Sequence, residues 1–341
     1  MILRRGGIRA RLPLAAAFAL TLTGCSARDP GIDSTAFATD HPLVGRTYRV
    51  ADGAYLDDAA LAAELAGAEI VLLGEHHPNP DHHRAQAEIL AALRDLGRRP
   101  GVVFEMIDVG QQPDVDTCIG SPSCTPETLA TQIGWDAHGW PDWHIYEPVL
   151  RIALDEGWRI VAGSYERSRI HQIVANGIHT LDPDTRSRLG VGRPLGVATH
   201  AAMVEEIRVS HCGHPDERRI EPMITAQRLR DSIMASAIEL ARIDSSVVLI
   251  AGNGHVRTDW GVPVHVAQRL PDARLLSMAM LEVRPGLDDP SAYAQALAAS
   301  ALPFDVVRFT ARVTERDSCD VIAEQLEQIK EMNREREEAS R

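Results

Sequence analysis

Four short, almost wholly apolar runs, at residues 69–73, 101–104, 158–162 and 246–251, are separated by long stretches of helical periodicity. This alternation constrains the fold more than any other feature of the chain. An apolar run of that length reads as a strand buried on both faces, the pattern of parallel sheets, whose strands are joined by helical crossovers. Two further runs, at 275–280 and 305–309, extend the series. Asn79-Pro80 supplies an N-cap and a first-turn proline, and Ile89, Leu90, Leu93 and Leu96 follow at helical spacing. A second helix is expected over 142–156, with Ile145, Val149, Ile152 and Ala153 on one face and Gly157 ending it. The expected fold class is α/β: a central, mostly parallel sheet flanked by helices. Between about 165 and 243 the pattern turns wholly helical, with breaks at Gly190–Pro194 and Gly213–Pro215, so a helical insertion is expected there.

The termini read differently. Arg4, Arg5, Arg9 and Arg11 precede an apolar stretch from Leu12 to Thr23, and Leu22-Thr23-Gly24-Cys25 closes it. That is the charged region and short apolar region of a signal peptide, too short to span a bilayer. A small residue before Cys25 fits the bacterial lipobox, in which the cysteine is acylated and becomes the new N-terminus. Ser26 rather than Asp then favours the outer membrane. Residues 1–24 are therefore expected to be a lipoprotein signal peptide, 25–45 a polar tether, 46–318 the folded domain, and 319–341 a charged terminal helix. A net charge of −13 without any Lys/Arg run excludes a nucleic-acid backbone as partner. With Cys25 committed to lipid, four cysteines remain, and in an oxidising compartment an even number suggests pairing. Cys118 and Cys124 bracket a turn-rich loop and form the expected disulfide; Cys212 and Cys319 pair only if the fold brings them together.

In an open parallel sheet, ligands bind beyond the carboxyl ends of the strands, so the residues just past each run carry the information. The first run leads into Gly74-Glu75-His76-His77, the second into Glu105, the third into Tyr165-Glu166, and the run from 246 into Gly252-Asn253-Gly254-His255. Imidazoles and carboxylates together are the ligand set of Zn²⁺, Mn²⁺, Fe²⁺ or Co²⁺, which with a bound water can hydrolyse substrates. The expected metal ligands are His77, His255 and Glu105, with Glu75 and Glu105 as catalytic carboxylates. The plain alternative is that these groups only satisfy one another. His82 and His83 read as a solvated helix start, and His211 and His214 as helix C-terminal caps. Trp135, Trp140, Trp143, Tyr146 and Trp158 wall either a flat ligand or a packing cluster.

Four ordered blocks carry a resemblance: Leu72–Arg84 (LLGEHHPNPDHHR), Phe104-Glu105-Met106, Ala226–Asp231 (AQRLRD) and Ala251–Arg257 (AGNGHVR). Over roughly residues 50–285 the chain resembles the ChaN-like haem-binding uptake lipoproteins, a branch of the Tiki superfamily. The resemblance implies an α/β sandwich with a helical insertion, a cell-envelope lipoprotein, haem bound for iron acquisition, dimerisation around haem, and a haem-uptake receptor or transporter as partner. In the wider superfamily it implies metal-dependent hydrolysis through the paired Gly-x-x-His motifs, the alternative function. By position those motifs place His77, His255 and Glu105, with Glu75 beside them. His76 departs from the glutamine frequent in relatives. The haem ligands are left open between Tyr165, Tyr146 and several histidines, all able to bind iron.

Overall fold

The computed structural model describes residues 36–316 except 214–215 and 244–245, together with 319, 320, 323, 324, 327, 332 and 334. The expected signal peptide and Cys25 lie outside the described residues. Among these, eight strands form one sheet in the order β2-β1-β8-β7-β3-β6-β4-β5. The strands are β1 (Thr47–Arg49), β2 (Ala54–Leu56), β3 (Ile70–Glu75), β4 (Gly101–Asp108), β5 (Ile160–Ser164), β6 (Val247–Gly252), β7 (Leu275–Glu282) and β8 (Val306–Thr310). From β8 to β5 all pairings are parallel, as the apolar runs predict; β1 pairs antiparallel with both β2 and β8. Those two short strands, three residues each, escaped the sequence reading because three residues show no period.

Successive strand residues point to opposite faces, so each central strand feeds two cores. Val71 and Leu73 of β3 pack with α1 (Asp58–Gly67), α2 (Pro80–Asp95), α3 (Gln112–Ile119), α4 (Pro126–Gln132) and α5 (Glu147–Asp155). Ile70 and Leu72 pack on the other face. That face is covered by the second half of α9 (Glu217–Ala241) and by α10 (Val262–Arg269), with Tyr293 of α11 (Tyr293–Ala296) at its margin. α2 starts where the sequence places it: the Asn79 side chain accepts from Asp81 N–H and Pro80 occupies the first turn.

The predicted insertion is present as α6 (Arg167–Asn176), α7 (Pro183–Leu189), α8 (Val197–Ser210) and the first half of α9. Its small cores join Ile170, Ile173 and Leu229 in one cluster and Met203, Ile207, Ile224 and Trp260 in another. No described helix is long and apolar enough to cross a membrane.

Three expectations change. The helix expected over 142–156 begins at Glu147, after a short 3-10 turn at Trp143–Ile145 that Asp142 caps by accepting the His144 N–H. Residues 36–45, read as the end of a tether, pack on the domain: Phe37 and Arg312 exchange backbone hydrogen bonds, and Leu43 is buried. His82 and His83, read as solvated, are fully buried. Cys118 and Cys124 form the expected disulfide, with Cα atoms 5.1 Å apart, and Cys212 also pairs with Cys319 across 107 residues.

Candidate functional site

β6 lies between β3 and β4, so the carboxyl ends of these three strands stand side by side and their polar residues converge. Glycine makes the approach possible. A Cβ on Gly74 would lie 2.5 Å from both Asn253 Oδ1 and Val256 Cγ2, and one on Gly252 would lie 3.1 Å from His77 Nε2. Asn253 ties the turn after β6 to β3 and β7, its N–H donating to Glu75 O at 2.9 Å and its side chain to Met280 O at 2.7 Å.

Glu75 is the hub of one half of the cluster. Its Oε1 accepts from Tyr146 Oη at 2.7 Å and His77 Nδ1 at 2.8 Å, and its Oε2 accepts from Gln86 Nε2 at 2.6 Å. His83 Nδ1 lies 3.3 Å from the same Oε2 while its Nε2 donates to the His77 carbonyl at 2.9 Å. Burial alone would raise the Glu75 carboxyl, but His83 and His77 hold it well below the usual carboxylate range. Burial opposes charge on His77 and His83 too, yet the carboxylates beside them raise both imidazoles above their ordinary value.

Glu105 is the hub of the other half. Its Oε2 accepts the Gly252 N–H at 2.8 Å, and its Oε1 faces His255 Nε2 at 3.2 Å and Arg230 at 3.8 Å. Against its burial, His255, His77 and Arg230 hold this carboxyl far below the usual range. His255 donates through Nδ1 to Asp231 Oδ1 at 2.6 Å, so its imidazole stands between two carboxylates. These outweigh its desolvation and push it up to about 10. Burial pushes Asp231 up to about 6, against His255. His77 joins the halves: its Nε2 is 3.8 Å from Glu105, and with 28% of its side chain exposed it is more accessible than His83 or His255. Trp140 meets its ring edge-on, with centroids 5.0 Å apart.

The structure thus brings together His77, His255, Glu75 and Glu105, and adds Tyr146, whose hydroxyl is committed to Glu75. Tyr165 stands apart, partly buried after β5 with the Arg169 guanidinium 4.0 Å over its ring. Of the tryptophans, Trp135 and Trp158 are core packing, as is Tyr146. His211 caps α8 as expected, its Nδ1 donating to Ile207 O at 2.8 Å, and His214 lies outside the described residues.

The expected divalent-metal site is not supported. Among the described residues, no group of three or more His, Cys, Asp or Glu side chains is arranged to hold a metal ion. The physical reason lies in the pairing. A metal takes a neutral imidazole, whereas carboxylates on either side of His255 favour its protonated form. Asp231, Arg230 and Gln227 are the functional neighbours that sequence reasoning left without a role. They lie on α9 within the Ala226–Asp231 block, and that block was the one signal of their importance.

A family profile described as haem-binding uptake, Tiki superfamily, ChaN matches residues 61–266, which takes in every cluster residue. No curated protein matches the chain. Among solved structures, ChaN of Campylobacter jejuni, described by its cofacial haem binding, superposes with a TM-score of 0.59 at 19% identity. The match covers 77% of this chain and 95% of that one, and it shows the same α/β fold. The RRSP toxin effector domain of Vibrio vulnificus reaches 0.39 at 16% identity over 67% of this chain and 36% of that one. The erythromycin esterase EreC, as a mutant in its open conformation, reaches 0.39 at 13% identity over 80% and 99%. Scores below 0.5 support no statement about this chain. The profile match spans more than half of the sequence, and the chain belongs to the haem-binding uptake family of the Tiki superfamily, the ChaN family.

Proposed function

We propose that this protein is a lipid-anchored lipoprotein of the bacterial cell envelope, on the outer membrane, that binds haem during iron acquisition. Family membership over residues 61–266 is the observation that carries the reading. The lipobox at Cys25 supplies the anchor, and a second copy of the chain and a haem-uptake receptor or transporter are the partners it implies. Titrating full-length protein in detergent with haemin tests the reading. A saturable shift of the haem absorbance band is expected, and a shift that grows linearly without saturation overturns it.

One observation favours a second, hydrolytic reading. His77 is held through Nδ1 by the buried carboxylate of Glu75 and keeps Nε2 at the crevice, the arrangement of a general base with its orienting acid. Because Glu75 and Glu105 outweigh burial and raise the imidazole, its free base form prevails only above the ordinary histidine value. Ester or amide cleavage by this centre therefore rises with pH past about 6.5. A panel of chromogenic esters and peptides tests it: activity lost in both His77→Ala and Glu75→Gln supports it, and activity unchanged in either removes it.

A further inference from the structure

A chain of net charge −13 gathers arginines in one place. α7, the turn 190–193 that follows it and α10 border a cavity of about 440 Å³, within the size range of small-molecule sites. Arg186 and Arg188 of α7, Arg193 of the turn and Arg269 of α10 line it. Hydrogen bonds fix three guanidiniums at its edge. Arg193 Nη1 lies 3.5 Å from Gln268 Oε1, Arg269 donates to the Arg188 carbonyl, and Arg228, reaching across from α9, donates to the Arg193 carbonyl. His265, buried on α10 among the lining residues, records the resulting field. Burial, with Arg228 and Arg269, lowers its imidazole to about 4, so the positive charge here is that of the guanidiniums.

The opposite charge is scarce. Of these five arginines only Arg269 has a carboxylate within ion-pair distance among the described residues, Glu239 at 3.4 Å. Asp182 and Asp231, which also feel these arginines, are engaged in capping α7 and in binding His255. Like charges crowded together repel and cost stability unless something supplies the opposite sign. α7 and α10 both end here, and helix C-termini favour cations, which accounts for Arg186, Arg188 and Arg269. It does not account for Arg193, in the turn, or for Arg228, within α9.

We propose that this cavity binds the phosphate groups of a small ligand. A guanidinium presents a planar fork of N–H donors that matches two oxygens of a phosphate, and a phosphate has oxygens for more than one fork, whereas one fork fills a carboxylate. Arg269, bonded to the Arg188 carbonyl and 3.4 Å from Ser232 Oγ, is the fixed member, and Arg186 and Arg193 carry no carboxylate among the described residues. Gly192 leaves room beside them, since a Cβ there would meet nothing within 4 Å. None of the residues lining the cavity belongs to the cluster around Glu75 and Glu105. The proposal goes beyond haem binding and stands whether or not haem binds.

Titration calorimetry of full-length protein in dodecyl maltoside, with inorganic pyrophosphate as the probe, tests it on the parent, Arg186→Gln, Arg193→Gln, Gly192→Glu and Arg151→Gln. The parent binds saturably, and binds citrate, a tricarboxylate, at least about tenfold more weakly. Arg186→Gln and Arg193→Gln each weaken pyrophosphate about tenfold, the loss of one charge-assisted hydrogen bond. Gly192→Glu, which sets a carboxylate among the guanidiniums, abolishes binding. Arg151→Gln, on α5 across the sheet, binds as the parent does. Should one pocket variant fail to fold, the other two decide. Soluble phosphate esters and phospholipid headgroups share this chemistry, and doped micelles tell them apart: displacement of pyrophosphate by phosphatidic acid, but not by oleate at equal charge, assigns a headgroup, and no displacement by either assigns a soluble ester. Absence of saturable pyrophosphate binding, citrate bound as tightly, equal displacement by oleate, or pocket variants that bind no more weakly than Arg151→Gln would each overturn the proposal.

Discussion

His82 offers a quantitative test because its neighbours fix its proton. The His76 N–H donates to Nδ1 at 2.8 Å, so Nδ1 is an acceptor and Nε2 carries the hydrogen that meets Thr310 Oγ1 at 2.8 Å. A second proton would have to displace the His76 bond at a fully buried site. Burial therefore lowers this imidazole to about 3, against the pull of Glu282. The sign follows from linkage. Below about 6.5 the unfolded chain takes up a proton that the folded chain refuses, so stability falls as pH falls through that window towards 3. At about 1.36 kcal/mol per pKa unit, the His82 share of the loss between pH 7 and pH 4 is about 3 kcal/mol. His82→Asn retains an acceptor for the His76 N–H and does not titrate. Urea unfolding of parent and variant at both pH values yields the double difference. The variant starts less stable, having lost the Thr310 bond, but gives up about 3 kcal/mol less on acidification. Equal acid losses in the two proteins would refute the assignment of His82 as a buried neutral imidazole.

Other parts of the structure yield further expectations. Asp231→Asn removes one of the two carboxylates beside His255, so the His255 imidazole, pushed up to about 10 in the parent, should titrate closer to neutrality in an NMR pH series; an unchanged value would sever the link between α9 and the site. Tyr146→Phe strips the buried Glu75 carboxylate of a 2.7 Å hydrogen bond and should cost about 1.5–3 kcal/mol in urea unfolding, with no cost if the hydroxyl is idle. The two disulfides close loops of very different size, with sequence separations of 6 and 107. Replacing Cys212 and Cys319 by serine should therefore destabilise by about 4–5 kcal/mol and replacing Cys118 and Cys124 by only about 2, as the chain-entropy relation gives, and the reverse order would contradict it.

The sheet was legible in the sequence because strands buried on both faces leave unbroken apolar runs, and Glu75, His77, Glu105 and His255 were legible because they follow those runs directly. What lay hidden depended on partners far along the chain. His82 and His83 read as solvated because neither shares a face with the apolar stripe of α2. In the fold each finds hydrogen-bond partners for its ring nitrogens: His82 is buried as a satisfied neutral imidazole between the His76 N–H and Thr310, and His83 is buried beside the Glu75 carboxylate. Asp231 and Arg230 stood in an amphipathic helix as ordinary polar positions. Only the packing of α9 across the ends of β4 and β6 turns them towards Glu105 and His255. The metal expectation came from counting ligand-type residues at strand ends. The count was sound, but proximity among acids and imidazoles also produces ion pairs, and the distances around Glu105 and His255 are those of ion pairs. Residues 36–45 looked like a tether because backbone bridging to Arg312 leaves no trace in side-chain pattern.

The most direct test is whether the protein takes up haem as an ordered ligand. Crystals of the protein grown with haemin and measured at the iron absorption edge should show strong anomalous density from bound iron. The absence of any iron peak from haemin-saturated crystals would contradict haem binding, the reading that family membership carries.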